Sequence, residues 1–404
     1  MTLSPPRAPA TGVRRLTATL YGYAFLDEFV LLYPVYALLF ADTGLSVWRM
    51  SSLFVLWSAT GVLLEVPSGA WADAVSRRTL LVLGPLLGAA GFALWVIVPS
   101  YGAFAAGFVL WGARGALGSG ALEALVYEEL ERLGAADRYA RVMGRAHAAG
   151  QAAAMAAMGL AGPVFAAHGY PAVGAASVLA CLLCAATAAR FPEHRVPAAD
   201  GDGPGWAATL RAGLTVARGD RSVRGALLLV PAVAAVWGAL DEYTPLLARD
   251  TGVPDAAVPY LLVLIWAGVT AGSLLAGPAE RLGAGAFAAL LTASALALAV
   301  GALAGTPAGL VLVALAFGGF QLATVLADVR LQHRIEDTGR ATLTSVASLG
   351  TEAVTIGVYG TYAALATTGG HGTAFALCAV PYLLTAVAVA RGRGKRGRRR
   401  GPGG

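Results

Sequence analysis

The sequence predicts an all-α membrane protein: twelve transmembrane helices in two pseudo-symmetric six-helix bundles, with both termini cytoplasmic. Three observations lead there. The first is composition. Of 404 residues, 57% are hydrophobic and 13% charged, with a mean hydropathy of +0.67; a soluble domain carries about 25% charged residues. The second is length. Apolar stretches of about 20 residues, enough to span a bilayer, recur at approximately 17–40, 48–71, 79–98, 101–127, 144–167, 170–190, 225–247, 257–278, 284–304, 306–328, 341–366 and 372–390. Their Ala, Leu, Val and Gly runs lack the alternation of a membrane barrel, so helices satisfy the backbone. The third is charge asymmetry. With these spans, 26 of the 29 Lys and Arg residues face one side; Arg49 and Arg249 face the other, and Arg114 lies inside a span. Basic segments stay cytoplasmic, which places both termini inside.

The order along the chain gives four parts: an N-terminal bundle (1–190), a cytoplasmic linker (191–224), a C-terminal bundle (225–391) and a basic disordered tail (392–404). The start, MTLSPPRAPATGVRR, has no small-residue cleavage signal and is expected to be retained. The first span contains FLDEFVLLYP, with Asp27 and Glu28 side by side; the seventh contains ALDEYTPLLA, with Asp241 and Glu242. Neighbours on a helix point about 100° apart. Each pair therefore offers one acid to a cavity and one to a neighbouring helix, and the sequence leaves open which.

Intramembrane charge is costly, so it faces protein or water. The fourth span holds Arg114, with no charge on its own helical face. It needs a partner from another helix, and an acid of the first span is the natural one. Such a group depresses the proton affinity of a nearby carboxylate or binds an anionic substrate. Glu65 and Glu123 lie nearer the cytoplasmic ends, as snorkelling, gate or proton-carrying residues. In the eleventh span Ser345, Ser348, Glu352, Thr355 and Tyr359 form a polar stripe on one face, which puts Glu352 near the bilayer centre. Spans three, six, nine and twelve have charge-free cores and are expected to face lipid.

The fifth span carries Gly150, Gly159, Gly162 and Pro163, suited to close packing or a bend. The linker opens with FPEHRVPAADGDGPG and continues with a short amphipathic stretch in which Trp206, Leu210, Leu214 and Ala217 share a face, expected to lie on the membrane surface. The two halves align at an offset of 200 around residues 130 and 330, pairing Glu128 with Asp328, Asp137 with Asp337 and Gly150 with Gly350. Cys181, Cys184 and Cys378 read as small apolar filler, since one CxxC lacks two of the ligands a zinc site needs. No metal and no cofactor is expected. The tail RGRGKRGRRRGPGG reads as a topology anchor beside anionic headgroups rather than a nucleic-acid site.

The turn after the second span, GAWADAVSRR, resembles the signature of the major facilitator superfamily. Gly69, Asp73, Arg77 and Arg78 match it, while Ser76 stands where the family usually has glycine. RGALGSGA, Arg114 to Ala121, resembles a second family pattern. Gly150, Gly159, Gly162 and Pro163 resemble the Gly-rich element of its proton-driven antiporters, with one spacing a residue short and Phe165 and Ala166 in place of glycines. The overall likeness is greatest to the bacterial twelve-helix drug/proton antiporters.

The resemblance implies a secondary transporter with two bundles rocking about a central site. Asp73, with Arg77, Arg78 and a helix N-terminus, would form a gate cluster; a plain turn obeying charge asymmetry is the alternative. The expected activity is proton-coupled export of a small amphipathic molecule, which Tyr33, Tyr36, Trp57, Trp237 and Tyr243 suit. The alternatives are a symporter or facilitator taking up a polar metabolite and, outside transport, a membrane sensor or membrane enzyme. Short external loops and the lack of a nucleophile constellation speak against an enzyme. With no nucleotide-binding domain, no ATPase partner is required. One Lys against 28 Arg in an Ala-rich chain fits a GC-rich bacterium, hence a bacterial inner membrane.

Overall fold

The computed structural model describes the backbone of residues 10–74, 76–194, 221–333 and 340–398, with side chains in 11–64, 76–194, 223–333 and 343–391. The amphipathic linker stretch around Trp206 lies outside the described residues, as do the side chains of Glu65, Gly69 and Asp73. All regular structure among the described residues is helical, and eight helices are long and apolar enough to cross a membrane. The chain divides into two compact units: Met1–Leu45 with Leu53–Asp202, and Ser46–Ser52 with Gly203–Gly404.

The first unit contains α1 (Ala10–Glu28), α2 (Tyr36–Asp42), most of α3 (Val47–Ala74), α4 (Arg77–Ile97), α5 (Tyr101–Gly118), α6 (Ala121–Arg132) and α7 (Tyr139–Ala188). Helix starts follow local chemistry. Ser76 caps α4 by accepting the Thr79 N–H at 3.2 Å, and Ser100 caps α5 by accepting the Ala103 N–H. The α7 helix is interrupted at Gly169 (φ 66°, ψ −161°), a backbone region that glycine enters without steric cost. Its first leg packs on α1 and its second supplies Cys181 and Cys184 to the interior.

One core cluster joins Leu16, Leu20, Tyr23, Leu80, Leu125, Leu130 and Phe191. A second, aromatic core gathers Phe40, Phe54, Phe92, Trp95, Phe104 and Phe108, all fully buried. Trp95 satisfies its indole N–H on the Phe104 carbonyl at 3.2 Å.

The second unit contains α8 (Arg221–Asp241), α9 (Thr244–Asp250), α10 (Val258–Leu274), α11 (Ala276–Ala279), α12 (Ala284–Leu303), α13 (Gly309–Gln332), α14 (Arg340–Cys378) and α15 (Val380–Arg398). Here α14 is interrupted at Gly370 (φ 75°, ψ 174°). Gly268 of α10 and Gly318 of α13 bring the two backbones together, the small-residue contact expected where apolar burial does not drive helix association. Helical backbone runs through Arg398, past the expected start of a disordered tail at 392.

Large apolar side chains stand exposed on the helices expected to face lipid. They include Leu83 and Leu86 on α4, Leu179 and Leu182 on the second leg of α7, Leu296 and Val300 on α12, and Leu384 on α15. The expected continuity of spans one, four and seven is corrected, since each is broken within its length.

Candidate functional site

Two of those breaks fall on the paired acids. The last residue of α1 is Glu28 and that of α8 is Asp241. Proline explains both. A proline ring has no N–H and collides with the carbonyl four residues back; for Pro245 that carbonyl belongs to Asp241, and for Pro34 to Val30. The orphaned groups find other partners. Thr244 Oγ1 donates to the Asp241 carbonyl at 2.6 Å. Inside the first break, the Leu32 N–H donates to buried Ser177 Oγ at 3.0 Å, and that hydroxyl donates to the Val173 carbonyl at 2.7 Å. The third break, between α5 and α6, turns at Gly120 (φ 73°).

In the first unit, Asp27 and Glu28 part company. Arg114, only 9% exposed, places Nη2 2.5 Å from Asp27 Oδ1 and 2.9 Å from the Asp27 carbonyl. Its Nη1 lies 3.9 Å from Cys181 Sγ, and Cys184 Sγ lies 3.7 Å from Asp27 Oδ1. Two glycines of α4 make room for the side chain: a Cβ at Gly88 would sit 2.9 Å from Arg114 Nη1, and one at Gly84 3.6 Å from its Cγ. Glu28 is exposed and lies beside Gly150, where an added Cβ would come within 3.2 Å of Glu28 Cγ and 3.3 Å of the Ala24 carbonyl. Among the described residues Glu28 has no ion pair.

In the second unit, Asp241 and Glu242 are half-buried at the α8–α9 break and have no ion pair among the described residues. Glu352 is half-buried on α14; Thr355 and Tyr359 along its stripe are buried, while Ser345 and Ser348 are exposed. Gly350 of the same helix packs toward Pro231 of α8, with an added Cβ 3.3 Å from Pro231 Cγ. The repeat-paired glycines thus do the same work, Gly150 seating α7 against α1 and Gly350 seating α14 against α8.

The turn after α3 is held from elsewhere in the first unit. Arg77 Nη1 meets Glu128 Oε2 at 2.5 Å, and the Arg77 N–H donates to Glu193 Oε1 at 2.8 Å. The Ser76 hydroxyl donates to the other oxygen of Glu193, and Arg78 Nη1 reaches the Phe191 carbonyl at 3.5 Å. Next along the chain, His194 bonds Glu129 Oε1 through its N–H (2.9 Å) and Nδ1 (3.0 Å), while Arg132 Nη2 holds Glu129 Oε2 at 2.9 Å. Burial pushes the Glu129 carboxyl up, but hydrogen bonds from His194 and Arg132 outweigh it and hold the group below the ordinary carboxylate range.

The sequence profile of the Major Facilitator Superfamily matches residues 17–356. The chain belongs to the Major Facilitator Superfamily. Comparison with curated proteins gives no match. Among solved structures, a mutant of the nucleoside transporter NupG is similar over 93% of this chain and 99% of its own, with TM-score 0.76 and 14% identity. A bacterial homologue of the human lysosomal transporter Spinster, inward-facing and unoccupied, covers 96% of each chain at TM-score 0.66 and 16% identity. A POT family transporter in complex with a thioalcohol-conjugated peptide covers 94% of this chain and 96% of its own, at TM-score 0.67 and 12% identity. The fold is that of a multi-pass membrane transporter, a class that in general carries no enzyme chemistry.

Within this superfamily fold, the remaining predicted residues divide. Glu123 is exposed on the first turn of α6. Of the Gly-rich element, Gly162 is buried and Pro163 exposed within α7, whose only non-helical residue is Gly169. A Cβ at Gly159 would meet nothing within 4 Å among the described residues, whereas one at Gly150 would meet α1. Of the cysteines expected as filler, Cys181 and Cys184 line the Arg114–Asp27 pair, and Cys378 is buried in the second unit. Glu193, Glu129 and His194 were not among the residues the sequence singled out; the Glu-His pair inside FPEHR was the only local signal.

Tyr33, Trp111 and Trp57 stack in that order, with successive centroids 5.1 and 4.9 Å apart. Tyr36 is buried beside them, and its hydroxyl has no hydrogen-bond partner among the described residues.

Proposed function

We propose that this superfamily member is a proton-coupled secondary transporter that exports a small amphipathic molecule by alternating access, with Glu28 as its foremost proton carrier. The observation behind the reading is the division of labour at the end of α1. Arg114 pairs with Asp27, while exposed Glu28 sits at the same helix break without a charged partner among the described residues. A carboxylate in that setting gains a proton when its surroundings dry and releases it when they open to water. Discontinuous helices at such acids are where transporters place substrate and ion sites. The half-buried rings of the Tyr33–Trp111–Trp57 stack supply an aromatic wall beside the charged helix break. That wall suits an amphipathic substrate.

Twelve spans with cytoplasmic termini remain our reading of the topology. Its supports are the interruptions of α7 and α14 at Gly169 and Gly370 and the charge asymmetry of the loops. The bacterial inner membrane is the proposed location. Uptake of a polar metabolite is the second reading, favoured by neighbours that include a nucleoside transporter and peptide transporters of the POT family.

The test is ethidium-driven proton movement in proteoliposomes holding a pH gradient. Proton release against ethidium entry supports export. Nucleoside- or peptide-driven proton co-movement, with no response to ethidium, overturns export in favour of the second reading.

A further inference from the structure

The second unit contains a cavity of about 260 Å³ away from the acid-bearing break. Asp250 and Thr251 at the end of α9, Gly301 of α12, Leu310 of α13 and the turn carrying His371 and Thr373 line it. The turn is close-fitted: a Cβ at Gly372 would lie 2.7 Å from the Ala302 carbonyl. His371 Nδ1 and the Tyr362 hydroxyl are 2.7 Å apart. Tyr362 is fully buried and stacks on Tyr243 with centroids 3.7 Å apart and planes 21° apart. Tyr243 directly follows Glu242 in the break between α8 and α9. Three side chains therefore run from an imidazole on the cavity wall to the backbone that carries Asp241 and Glu242.

Charge on the imidazole reverses this bond. A neutral His371 protonated on Nε2 accepts the Tyr362 O–H at Nδ1. An imidazolium has only donors, so the hydroxyl must turn its lone pair toward His371 and leave its own proton without that acceptor in a buried site. Asp250 lines the same cavity and draws the imidazolium toward itself. Among the described residues, the ionisable groups around His371 are Asp250 from α9, Tyr362 on the first leg of α14 and, behind it, Tyr243 and Cys378; α12 and α13 contribute no ionisable side chain to the cavity. Arg249, beside Asp250, is engaged with Asp255 at 3.0 and 3.2 Å. His371 lies in the turn between the expected spans 341–366 and 372–390, and burial holds it below the ordinary imidazole range, with Asp250 opposing.

We propose that His371 is a protonation site separate from the transport acids, whose charging loosens the Tyr362–Tyr243 stack and with it the α8–α9 break. The device acts without substrate. Proton uptake disfavours the bonded arrangement, so that arrangement is complete near neutrality and lost as pH falls through the His371 midpoint. A single proton shifts the ratio of two conformers by at most about tenfold per pH unit.

The experiment uses the full chain in detergent without substrate. NMR of histidine-labelled protein reads the His371 titration, and hydrogen exchange of residues 238–250, corrected for intrinsic rates, reads the break. In the unmodified protein, exchange at the break should rise on acidification with the His371 midpoint, by up to about tenfold per unit. His371→Gln should abolish that step. Asp250→Asn, at an exposed position, should move the midpoint to lower pH, and Tyr362→Phe should move it to higher pH. The same acid-induced opening in His371→Gln, or a midpoint unmoved by both other changes, overturns the proposal. Should His371→Gln fail to fold, the Asp250→Asn shift, read jointly by NMR and exchange, decides it.

Discussion

The Tyr382 hydroxyl is wedged into the backbone of α8, accepting the Trp237 N–H at 2.8 Å and donating to the Val233 carbonyl at 3.3 Å. Val233 and Trp237 stand four residues apart, the spacing of one helical hydrogen bond, so a side chain from α15 competes at that place in the ladder. Side chains inserted in this way bend helices. Tyr382 is fully buried, its ring stacked on Phe320 with centroids 3.8 Å apart, so the wedge is rigid. The first unit has a counterpart in Ser177, whose hydroxyl serves the break in α1. In both units a helix with a charge-free core supplies a polar group to the backbone of an acid-bearing helix.

Replacing Tyr382 by Phe should therefore let Trp237 bond directly to Val233 and stiffen α8. The lost side-chain hydrogen bonds and the regained backbone bond are each worth about 1 kcal/mol, so the melting temperature should move by only a few degrees, roughly 2–4 °C per kcal/mol. Transport should slow much more than stability changes. Unchanged initial rates in proteoliposomes would make the wedge a packing detail.

The Arg114–Asp27 pair should behave as a buried ion pair that fails when halved. Asp27→Asn leaves the guanidinium beside a neutral amide, and losing one partner of such a pair costs about 3–5 kcal/mol. Arg114→Lys should also destabilise, because an ammonium does not reproduce the fork that spans Asp27 Oδ1, the Asp27 carbonyl and Cys181. Thermal unfolding in detergent checks both. A melting temperature within 1–2 °C of the parent for either, less than about 1 kcal/mol, would show the pair is dispensable for folding.

How much of this was legible follows from what hydropathy reports. The all-helical, membrane-spanning character and the need of Arg114 for a first-span acid were readable, because unpaired charge is expensive in lipid whatever the detailed fold. The equivalence of Gly150 and Gly350 was readable as spacing. The helix breaks were not, since FLDEFVLLYP and ALDEYTPLLA keep span-like hydropathy around their acid pairs and only the carbonyl opposite Pro34 or Pro245 registers the fault. The Glu193 clasp on the turn after α3 joins residues 116 apart in sequence, and no local pattern announces such a partner.

The neighbouring Glu129, held by His194 and Arg132, gives a pH-dependent prediction. The folded Glu129 carboxyl titrates below its unfolded value, so its stabilisation is present above the unfolded value, about 4.3, and is lost as pH falls through the lower folded one. Glu129→Gln should flatten this acid limb of the stability curve. Ser76→Gly, restoring the residue usual in the family, should cost only a few tenths of a kcal/mol. Glu193→Ala should cost about 1 kcal/mol and raise hydrogen exchange at residues 77–80. Equal acid sensitivity in the parent and Glu129→Gln would remove Glu129 from the account.

The final prediction separates the two acids at the end of α1. If Asp27 is the fixed anion and Glu28 the carrier, isosteric neutralisation should have opposite signatures at adjacent positions. Asp27→Asn should lose stability, because a buried guanidinium loses its counter-charge. Glu28→Gln should fold with a melting temperature near the parent's, since Glu28 is exposed and its neighbour Gly150 tolerates an amide of the same size. It should nevertheless fail to build an ethidium gradient from a proton gradient, while still binding ethidium and exchanging it across the membrane at equilibrium. Glu352→Gln, on the half-buried stripe of α14, serves as the comparison within the second unit. The measurements are ethidium flux and proton movement in the same proteoliposomes for all three variants. Normal proton-to-ethidium exchange in Glu28→Gln would move the carrier role to Glu352 or to the Asp241–Glu242 pair, and a coupled, stable Asp27→Asn protein would refute the division of roles altogether.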